Sequence, residues 1–274
     1  MADATVLHGL FTYPFMRNAF EAGTIVAVLA GVTGWFMVLR RQVFAGHTLA
    51  VIAFPGAAAA TLAGLPVAAG YFGFCALGAL VIAGVAGARH GESAESAAIG
   101  VVGAVALALG FVFVTLYHGL LTGLDSLLFG TFLGITHTDV VVLLGVAAAA
   151  VALLLLAARP LLYASVDADV ARAAGVPVGL LGAAFLLVLG VTVAETSQIT
   201  GALLVFALLV APAAAAHELT ARPWLGVALS VAIALGVTWS GLVLAYVSIY
   251  PVGFYVTSLA FATYLGARSV RGTI

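Results

Sequence analysis

The chain has 274 residues, of which 65% are hydrophobic and only 7% are charged, and its mean hydropathy is +1.28. Soluble domains contain roughly 45–50% apolar residues, so this composition excludes an ordinary soluble protein and predicts an all-α polytopic membrane protein. The net charge of −1 gives no basic surface for nucleic acid. All nine basic residues are arginine, so the chain lacks the lysine of a phosphate-binding loop, and any ATP hydrolysis must come from another polypeptide. The one cysteine, Cys75, lies in an apolar run, which favours a packed thiol.

The amino-terminal segment, residues 1–18, lacks the basic start and long apolar core of a cleavable signal. Its aromatic side chains and single arginine suit the membrane–water interface, as Tyr13, Phe15 and Arg17 show. We therefore expect an interfacial segment at residues 1–18 and a transmembrane domain over residues 19–274.

Nine further runs are apolar and approach the roughly 20 residues that a helix needs to cross a bilayer. Many of them are rich in Gly and Ala, which is typical of helices that pack closely inside a bundle. The sequence therefore predicts about nine transmembrane helices, at residues 19–39, 43–64, 66–88, 97–118, 138–158, 177–195, 199–217, 224–246 and 250–267.

One further stretch, residues 120–138, is apolar enough to enter the membrane. If it were a full span, every later loop would change sides and the arginines that follow would lie outside the cell. We therefore expect this stretch to be re-entrant or interfacial.

The arginines predict the orientation of the bundle. If the amino terminus is outside and the carboxyl terminus is cytoplasmic, only Arg17 faces outward. The others then lie in the cytoplasm: Arg40, Arg41, Arg89, Arg159, Arg172, Arg222, Arg268 and Arg271. The chain is accordingly expected to be a multi-pass protein of the plasma membrane.

The longest polar, helix-competent stretch is residues 167–175, between two apolar runs. Asp167 or Asp169 fits the N-cap of a short helix, and Gly175 fits the residue just after its end. Pro177 prevents the helix from continuing. The arginine pattern places this short helix in the cytoplasm, and an ordinary amphipathic loop is the alternative.

His47 lies near the start of the second predicted span. An ionisable side chain in an apolar span is costly unless it faces protein or a water-filled path, so His47 is a candidate metal ligand. The alternative is a histidine at a helix start that bonds to the backbone.

Glu195 opens a polar stretch, residues 195–200, which we expect on the outer side between the sixth and seventh spans. An acidic mouth there would attract cations, and a plain hydrophilic hairpin is the alternative. Four other polar residues near residues 120–138 are a possible second source of ligands, although interfacial side chains are the favoured interpretation: His118, Asp125, His137 and Asp139.

His217 and Glu218 match the start of a zinc-protease helix motif, but Ala221 stands where that motif needs its second histidine. The pair is better interpreted as the cytoplasmic end of the seventh span, where a partial positive charge on His217 is favourable. Pro212 inside this span is expected to kink it, either as a hinge or for packing alone.

Several stretches follow one another in a set order along the chain. They are Phe-Met-Arg-Asn-Ala at 15–19, Leu-Arg-Arg-Gln-Val-Phe-Ala-Gly-His-Thr-Leu-Ala at 39–50, Phe-Pro-Gly at 54–56, Ser-Leu-Leu-Phe-Gly at 126–130, the polar stretch 167–175, and residues 200–216. Taken together and in this order, these stretches resemble the permease subunit of ABC importers for zinc, manganese or iron ions. The resemblance covers nearly the whole chain.

The resemblance implies a homodimeric pore, two ABC ATPase subunits bound on the cytoplasmic side, and an extracellular metal-binding lipoprotein or periplasmic protein. It makes residues 167–175 the coupling helix that contacts the ATPase, with Asp167, Asp169, Arg172 and Gly175 as its functional residues. The family commonly has Asp or His at the position of His47 and a second His four residues later. Here that second position is Val51, which leaves His47 as the ligand that matches the family's motif. With Glu195 of the polar stretch 195–200, the expected metal ligands are His47 and Glu195.

Together these features predict a transport subunit with no catalytic residue and no cofactor, which moves a divalent transition-metal ion as its substrate. The alternative is a stand-alone ion-coupled secondary carrier or an intramembrane enzyme. A carrier would bury coupling acids in mid-membrane, and the sequence places none of its ten acidic residues clearly there. The identity of the metal, and the choice between a bare ion and a chelate, stay open at this point.

Overall fold

The computed structural model describes residues 13–88, 92–117, 134–201 and 204–271. Within these ranges the chain is almost wholly helical and contains no strand. The helices, in chain order, are α1 (Pro14–Leu39), α2 (Val43–Leu62), α3 (Val67–Ala88), α4 (Glu92–Leu116), α5 (His137–Val166), α6 (Ala168–Ala173), α7 (Val178–Thr200), α8 (Val205–Leu219), α9 (Pro223–Tyr246) and α10 (Val252–Arg271).

Seven helices in the described ranges are long and apolar enough to cross a membrane, namely α1, α2, α3, α4, α5, α7 and α9. Helix α8 is apolar but has only 15 residues. The fold class is therefore confirmed as all-α and membrane-spanning, whereas the predicted count of nine spans is not confirmed. Most of the stretch 120–138, which was expected to be re-entrant or interfacial, lies outside the described residues.

Helix α1 is the central element, because it packs against α9, α8, α5 and α7. Helix α2 packs between α3 and α4, and α3 also packs on α7. Helix α10 packs against α8 and α9. The bundle thus buries α1 and α2 most completely, and these two helices meet at the turn that contains Arg40 and Arg41.

Close helix contacts explain the high glycine content. A β-carbon placed on Gly56 of α2 would overlap the carbonyl oxygen of Gly70 of α3, and a β-carbon on Gly70 would overlap that of Gly56. A β-carbon on Gly34 of α1 would likewise overlap the carbonyl oxygen of Leu209 in α8. Small residues let membrane helices approach to backbone contact, where dispersion forces rather than hydrophobic burial hold them together.

Several helix boundaries differ from the predicted spans, and three of these differences bear on the predicted segments. Helix α1 begins at Pro14, inside the predicted interfacial segment, because proline is well suited to the first helical position. Helix α5 continues through Pro160 to Val166 rather than ending at residue 158. Helix α7 continues to Thr200, so the predicted polar connection at residues 195–200 is wrong.

The polar end of α7 stays helical because its hydroxyl groups find acceptors within the helix. The Oγ1 atoms of Thr192, Thr196 and Thr200 donate to the carbonyl oxygens of Val188, Thr192 and Thr196, at 2.9, 2.7 and 3.0 Å. Such back-bonding satisfies a buried hydroxyl without any water. The helix ends where Gly201 takes a φ of +79°, and α8 follows after a short turn.

Candidate functional site

Helix α6 forms a short, exposed projection from the bundle, and both of its ends are capped by its own residues. Asp167 is the N-cap, and its Oδ1 accepts hydrogen bonds from the backbone N–H groups of Asp169 at 2.9 Å and Val170 at 3.0 Å. Asp169 also forms an ion pair with Arg172 one turn later. Of the alternatives from the sequence, the structure therefore selects Asp167 as the N-cap residue.

The carboxyl end of α6 is a Schellman motif around Gly175. The N–H of Gly175 donates to Arg172 O and the N–H of Val176 donates to Ala171 O, each at 3.0 Å. Gly175 has a φ of +84°, which only glycine adopts at little cost. This fixed geometry leaves Asp169, Val170 and Arg172 exposed, while Ala171 alone is buried. The projection is thus a rigid, charged surface rather than a loose loop.

His47 lies in the second turn of α2 with its side chain exposed, next to the buried Gly46 and Thr48. Its ring meets Phe206 of α8 edge to face, with centroids 4.9 Å apart. Val51, one turn further along α2, is half-buried and offers no ligand atom. The chain therefore presents one imidazole on an otherwise apolar stretch of this helix.

Glu195 is completely buried in α7 rather than exposed in an outer hairpin. Neither of its carboxylate oxygens has a hydrogen-bond partner among the described residues, and the hydroxyl of the nearby Ser197 is also without one. The predicted acidic mouth and the predicted hairpin are both wrong, because helix α7 carries this residue into the packed interior. A buried carboxyl without a partner is a costly feature that calls for a cation or a proton.

His47 and Glu195 lie in different settings, one exposed and one sealed. Among the described residues, no group of three or more His, Cys, Asp and Glu side chains is arranged to hold a metal ion. A dehydrated transition-metal ion needs about four ligands, so one copy of this chain does not form a complete site from the part that the structure describes.

A comparison with known families decides the class of the chain. The profile described as "ABC 3 transport family" matches residues 12–271. The chain belongs to the ABC 3 transport family.

Individual relatives support this assignment. The chain is 32% identical over 215 residues to the manganese transport system membrane protein MntC of Halalkalibacterium halodurans, which covers 78% of this chain and 72% of the relative. It is 31% identical over 258 residues to a Thermotoga maritima protein named as a probable metal transport system membrane protein, which covers 94% and 90%. The solved structure of PsaBC from Streptococcus pneumoniae in complex with Fab has a TM-score of 0.85 at 27% identity, covering 96% of this chain and 94% of that one.

The resemblance stated from the sequence is thus confirmed at the level of the family. This ABC 3 chain is a multi-pass membrane transport subunit and not an enzyme. The extent of the match, from residue 12 to residue 271, includes every helix of the bundle together with α6.

Two further candidates in this ABC 3 chain lie in the first turn of α5, and one of them has a local structural role. Asp139 forms a capping box with Thr136 at the start of α5, where Thr136 Oγ1 accepts from Asp139 N at 3.3 Å and the Asp139 carboxylate accepts from Thr136 N at 3.0 Å. His137 is exposed in the first turn of the same helix. His118 and Asp125 lie outside the described residues. Asp139 is thus accounted for by the helix cap that it forms with Thr136.

His217 lies in the last turn of α8, as the sequence predicts. Its Nε2 lies 3.1 Å from the carbonyl oxygen of Trp35 in α1, and the two rings stack with centroids 5.0 Å apart. A carbonyl only accepts, so this nitrogen carries the proton. The contact links the end of α8 to α1 across a long separation in sequence. Pro212 is buried within α8, which continues through it.

The arginine pattern assigns Arg40 only a part in the orientation of the bundle, but the structure places it in a specific environment. Arg40 is the C-cap residue of α1, and its guanidinium carbon lies 5.3 Å from the centroid of the buried Phe185 ring in α7. Burial lowers the pKa of this guanidinium. No pattern in the sequence could reveal this position, because Phe185 is remote along the chain.

Proposed function

We propose that this chain is the permease subunit of an ABC importer that carries a divalent transition-metal ion, zinc, manganese or iron, and that a separate ATPase supplies the energy. The observation that carries the proposal is the exposed, doubly capped helix α6 in a chain that matches the ABC 3 transport family from residue 12 to residue 271. A relative named for manganese transport supports the substrate class. The absence of lysine from the sequence agrees with ATP hydrolysis on another polypeptide.

The proposed docking surface for the ATPase is α6. Its charged residues Asp169 and Arg172 are exposed, and the caps at Asp167 and Gly175 hold the helix in one conformation. A rigid charged surface gives specificity and a defined orientation to a protein–protein contact. For the ATPase to reach it, α6 must be cytoplasmic, which the arginine distribution supports. The importer would also need an extracellular metal-binding protein on the opposite face.

The proposed ion pathway lies between two copies of the chain. His47 is exposed on the apolar helix α2, and an imidazole directed into lipid would be unfavourable. A two-fold dimer would bring the same surface of each copy together, so two His47 rings could share one ion. This arrangement would compensate for Val51, which stands where the family commonly has a second histidine.

Glu195 is the second group that we propose for the pathway. Its carboxylate is fully buried and both oxygens are free of hydrogen bonds within the described structure. A passing cation would supply the missing partner, and oxygen ligands suit manganese and iron as well as zinc. Because it is buried among the helices near the end of α7, it would act within the packed bundle rather than on an exposed outer surface.

The buried Glu195 also bears on the alternative function. A buried acid is what a stand-alone secondary carrier would use for ion coupling, and the sequence had placed no acid there. A carrier would have no use for α6 as a docking helix, and the family match covers that helix. The permease is therefore the better-supported function.

The test is uptake of radioactive manganese, zinc and iron into liposomes that contain the chain with its ATPase and binding protein. We expect uptake of at least one of these ions. This uptake should require all three components, with ATP on the side of the membrane where the ATPase is bound. Uptake by the chain alone along an imposed proton or sodium gradient would favour the secondary carrier. A parallel series with chelated metal distinguishes a bare ion from a chelate.

A further inference from the structure

A recess of about 350 Å³ opens where α1 ends, α5 ends and α6 begins. Arg40 and Arg41 line it from α1, and Ser165, Val166 and Ala168 line it from the other side. Among the residues that the structure describes, its lining contains two arginines and no acid. The recess is therefore a cationic pocket beside the amino-terminal end of the exposed helix α6.

Arg40 has no counter-ion within the described structure. Its guanidinium stacks over Phe185, its Nε is buried without a hydrogen-bond partner, and no carboxylate of the described ranges contacts it. The side chain is half-buried, so water screens this charge only in part. A planar guanidinium with free N–H groups is the side chain best suited to bind a carboxylate or a phosphate in bidentate fashion.

The two acids closest in sequence to the recess lining of α5 and α6 already have other partners. Asp167 Oδ1 accepts hydrogen bonds from the backbone N–H groups of Asp169 and Val170. The Asp169 carboxylate forms an ion pair with Arg172. The last turn of α5 also faces the recess, but a helix end carries only about half a negative charge. Burial also lowers the pKa of Arg40, because it removes part of the water that would solvate the guanidinium charge.

We propose that this recess binds the phosphate of an anionic phospholipid headgroup. The recess lies at the ends of membrane-spanning helices, where headgroups are present at all times, and basic pockets between such helices are suited to them. Val166, which lines the recess, is 85% exposed, and Tyr163 and Leu156 are exposed further along the same helix. This surface provides an apolar path for the acyl chains, which a partner's carboxylate would not need.

The bound lipid would contact α1, α5 and the amino-terminal end of α6, and so would stabilise the position of α6. The inference depends on the membrane location of the chain and not on the transported substrate. It can therefore fail while the proposed function stands, and the reverse is also possible.

The test is the apparent Tm of the purified full chain in a neutral detergent. Phosphatidylglycerol, phosphatidylcholine and inorganic phosphate are added separately, at equal phosphate concentration. We expect phosphatidylglycerol to raise the Tm by at least about 2 °C more than phosphatidylcholine does. Arg40→Gln should lose most of this difference, whereas Arg268→Gln, which removes an exposed arginine outside the recess, should keep it.

Three results would overturn the proposal. One is an equal effect of phosphatidylglycerol on the wild type and on Arg40→Gln. Another is an equal shift with inorganic phosphate alone, which would show a free-anion site. The third is a wild type that is insensitive to phosphatidylglycerol but is stabilised, through Arg40, by the ATPase subunit.

Native mass spectrometry keeps the proposal testable if Arg40→Gln does not fold. Wild-type protein should retain phosphatidylglycerol in preference to phosphatidylcholine from an equal mixture, and Arg40→Lys should retain it less well because lysine lacks the guanidinium fork. Equal retention of the two lipids by the wild type would contradict the proposal.

Discussion

The ring of His47 in α2 lies edge to face with Phe206 in the first turn of α8, at a centroid separation of 4.9 Å. This contact fixes one side of an imidazole whose other side is exposed. Such an arrangement would hold the proposed metal ligand in place while leaving its other side open to an ion. It also couples α2 to α8, the shortest of the apolar helices that the structure describes.

The first prediction concerns His47. His47→Ala should reduce metal uptake at least about tenfold, a loss of roughly 1.4 kcal/mol in the transport step, because one imidazole ligand per copy is removed. Assembly with the ATPase, measured by co-purification, should be unchanged. His137→Ala is the matched control, since His137 is an exposed histidine at the start of α5. Uptake by His47→Ala at the wild-type rate would show that this histidine is structural.

A companion change restores the family's spacing. Val51→His places a second imidazole four residues from His47, on the same helical face. We expect metal binding, measured by isothermal titration on the purified protein, to be retained or tightened. Weaker binding would contradict a site on this face of α2.

The second prediction concerns Glu195. Glu195→Gln keeps the size of the side chain and removes its capacity for charge, so the Tm should be unchanged or higher because both carboxylate oxygens lack partners. Uptake of metal should fall if the carboxylate meets the ion. Thr196→Val is a control for general disturbance of this turn of α7. If the Glu195→Gln protein transports normally, Glu195 has no role in the ion pathway and is only structural.

The third prediction concerns α6. Arg172→Glu should leave the protein folded, because Arg172 is exposed, but should uncouple metal uptake from ATP hydrolysis. Gly175→Val should act in the same direction and destabilise the cap by roughly 1–2 kcal/mol, since a β-branched residue is strained at a φ of +84°. The readout is uptake per ATP hydrolysed. Full coupling in Arg172→Glu would rule out α6 as a charge-dependent docking surface.

The fourth prediction concerns orientation. In a Cys75→Ser background, Ile249→Cys in the turn between α9 and α10 should react with an impermeant thiol reagent in intact cells, and Ser269→Cys should not. Ile249 is 93% exposed, whereas Ser197 is only 1% exposed and would be protected on either side. The opposite labelling pattern would place α6 outside the cell and remove its role in docking.

Local chemistry explains which parts of this fold could be predicted. Asp167 and Gly175 bound α6 through contacts within a few residues, so their identities in the sequence were sufficient. The apolar runs likewise predicted the long helices, because length and composition decide whether a helix can cross a bilayer.

The end of α7 shows why polarity alone was misleading. Its threonines bond to the carbonyl oxygens one turn earlier, so a stretch that resembles a loop in composition remains helical and buried. Contacts between helices remote in sequence explain the rest. They include the stacking of Arg40 on Phe185 and the contact of His47 with Phe206, and the burial of Glu195 likewise depends on helix packing. No pattern along a single chain contains that information.

The central claim is tested most directly by metal-stimulated ATP hydrolysis of the assembled complex, with this chain, its ATPase and its binding protein in one bilayer. Metal content of the complex is measured on the same sample. We predict that hydrolysis rises when metal-loaded binding protein is added, and that Arg172→Glu abolishes this rise while the basal rate persists. Hydrolysis that does not respond to any of manganese, zinc or iron, in a complex that is fully assembled, would contradict the account.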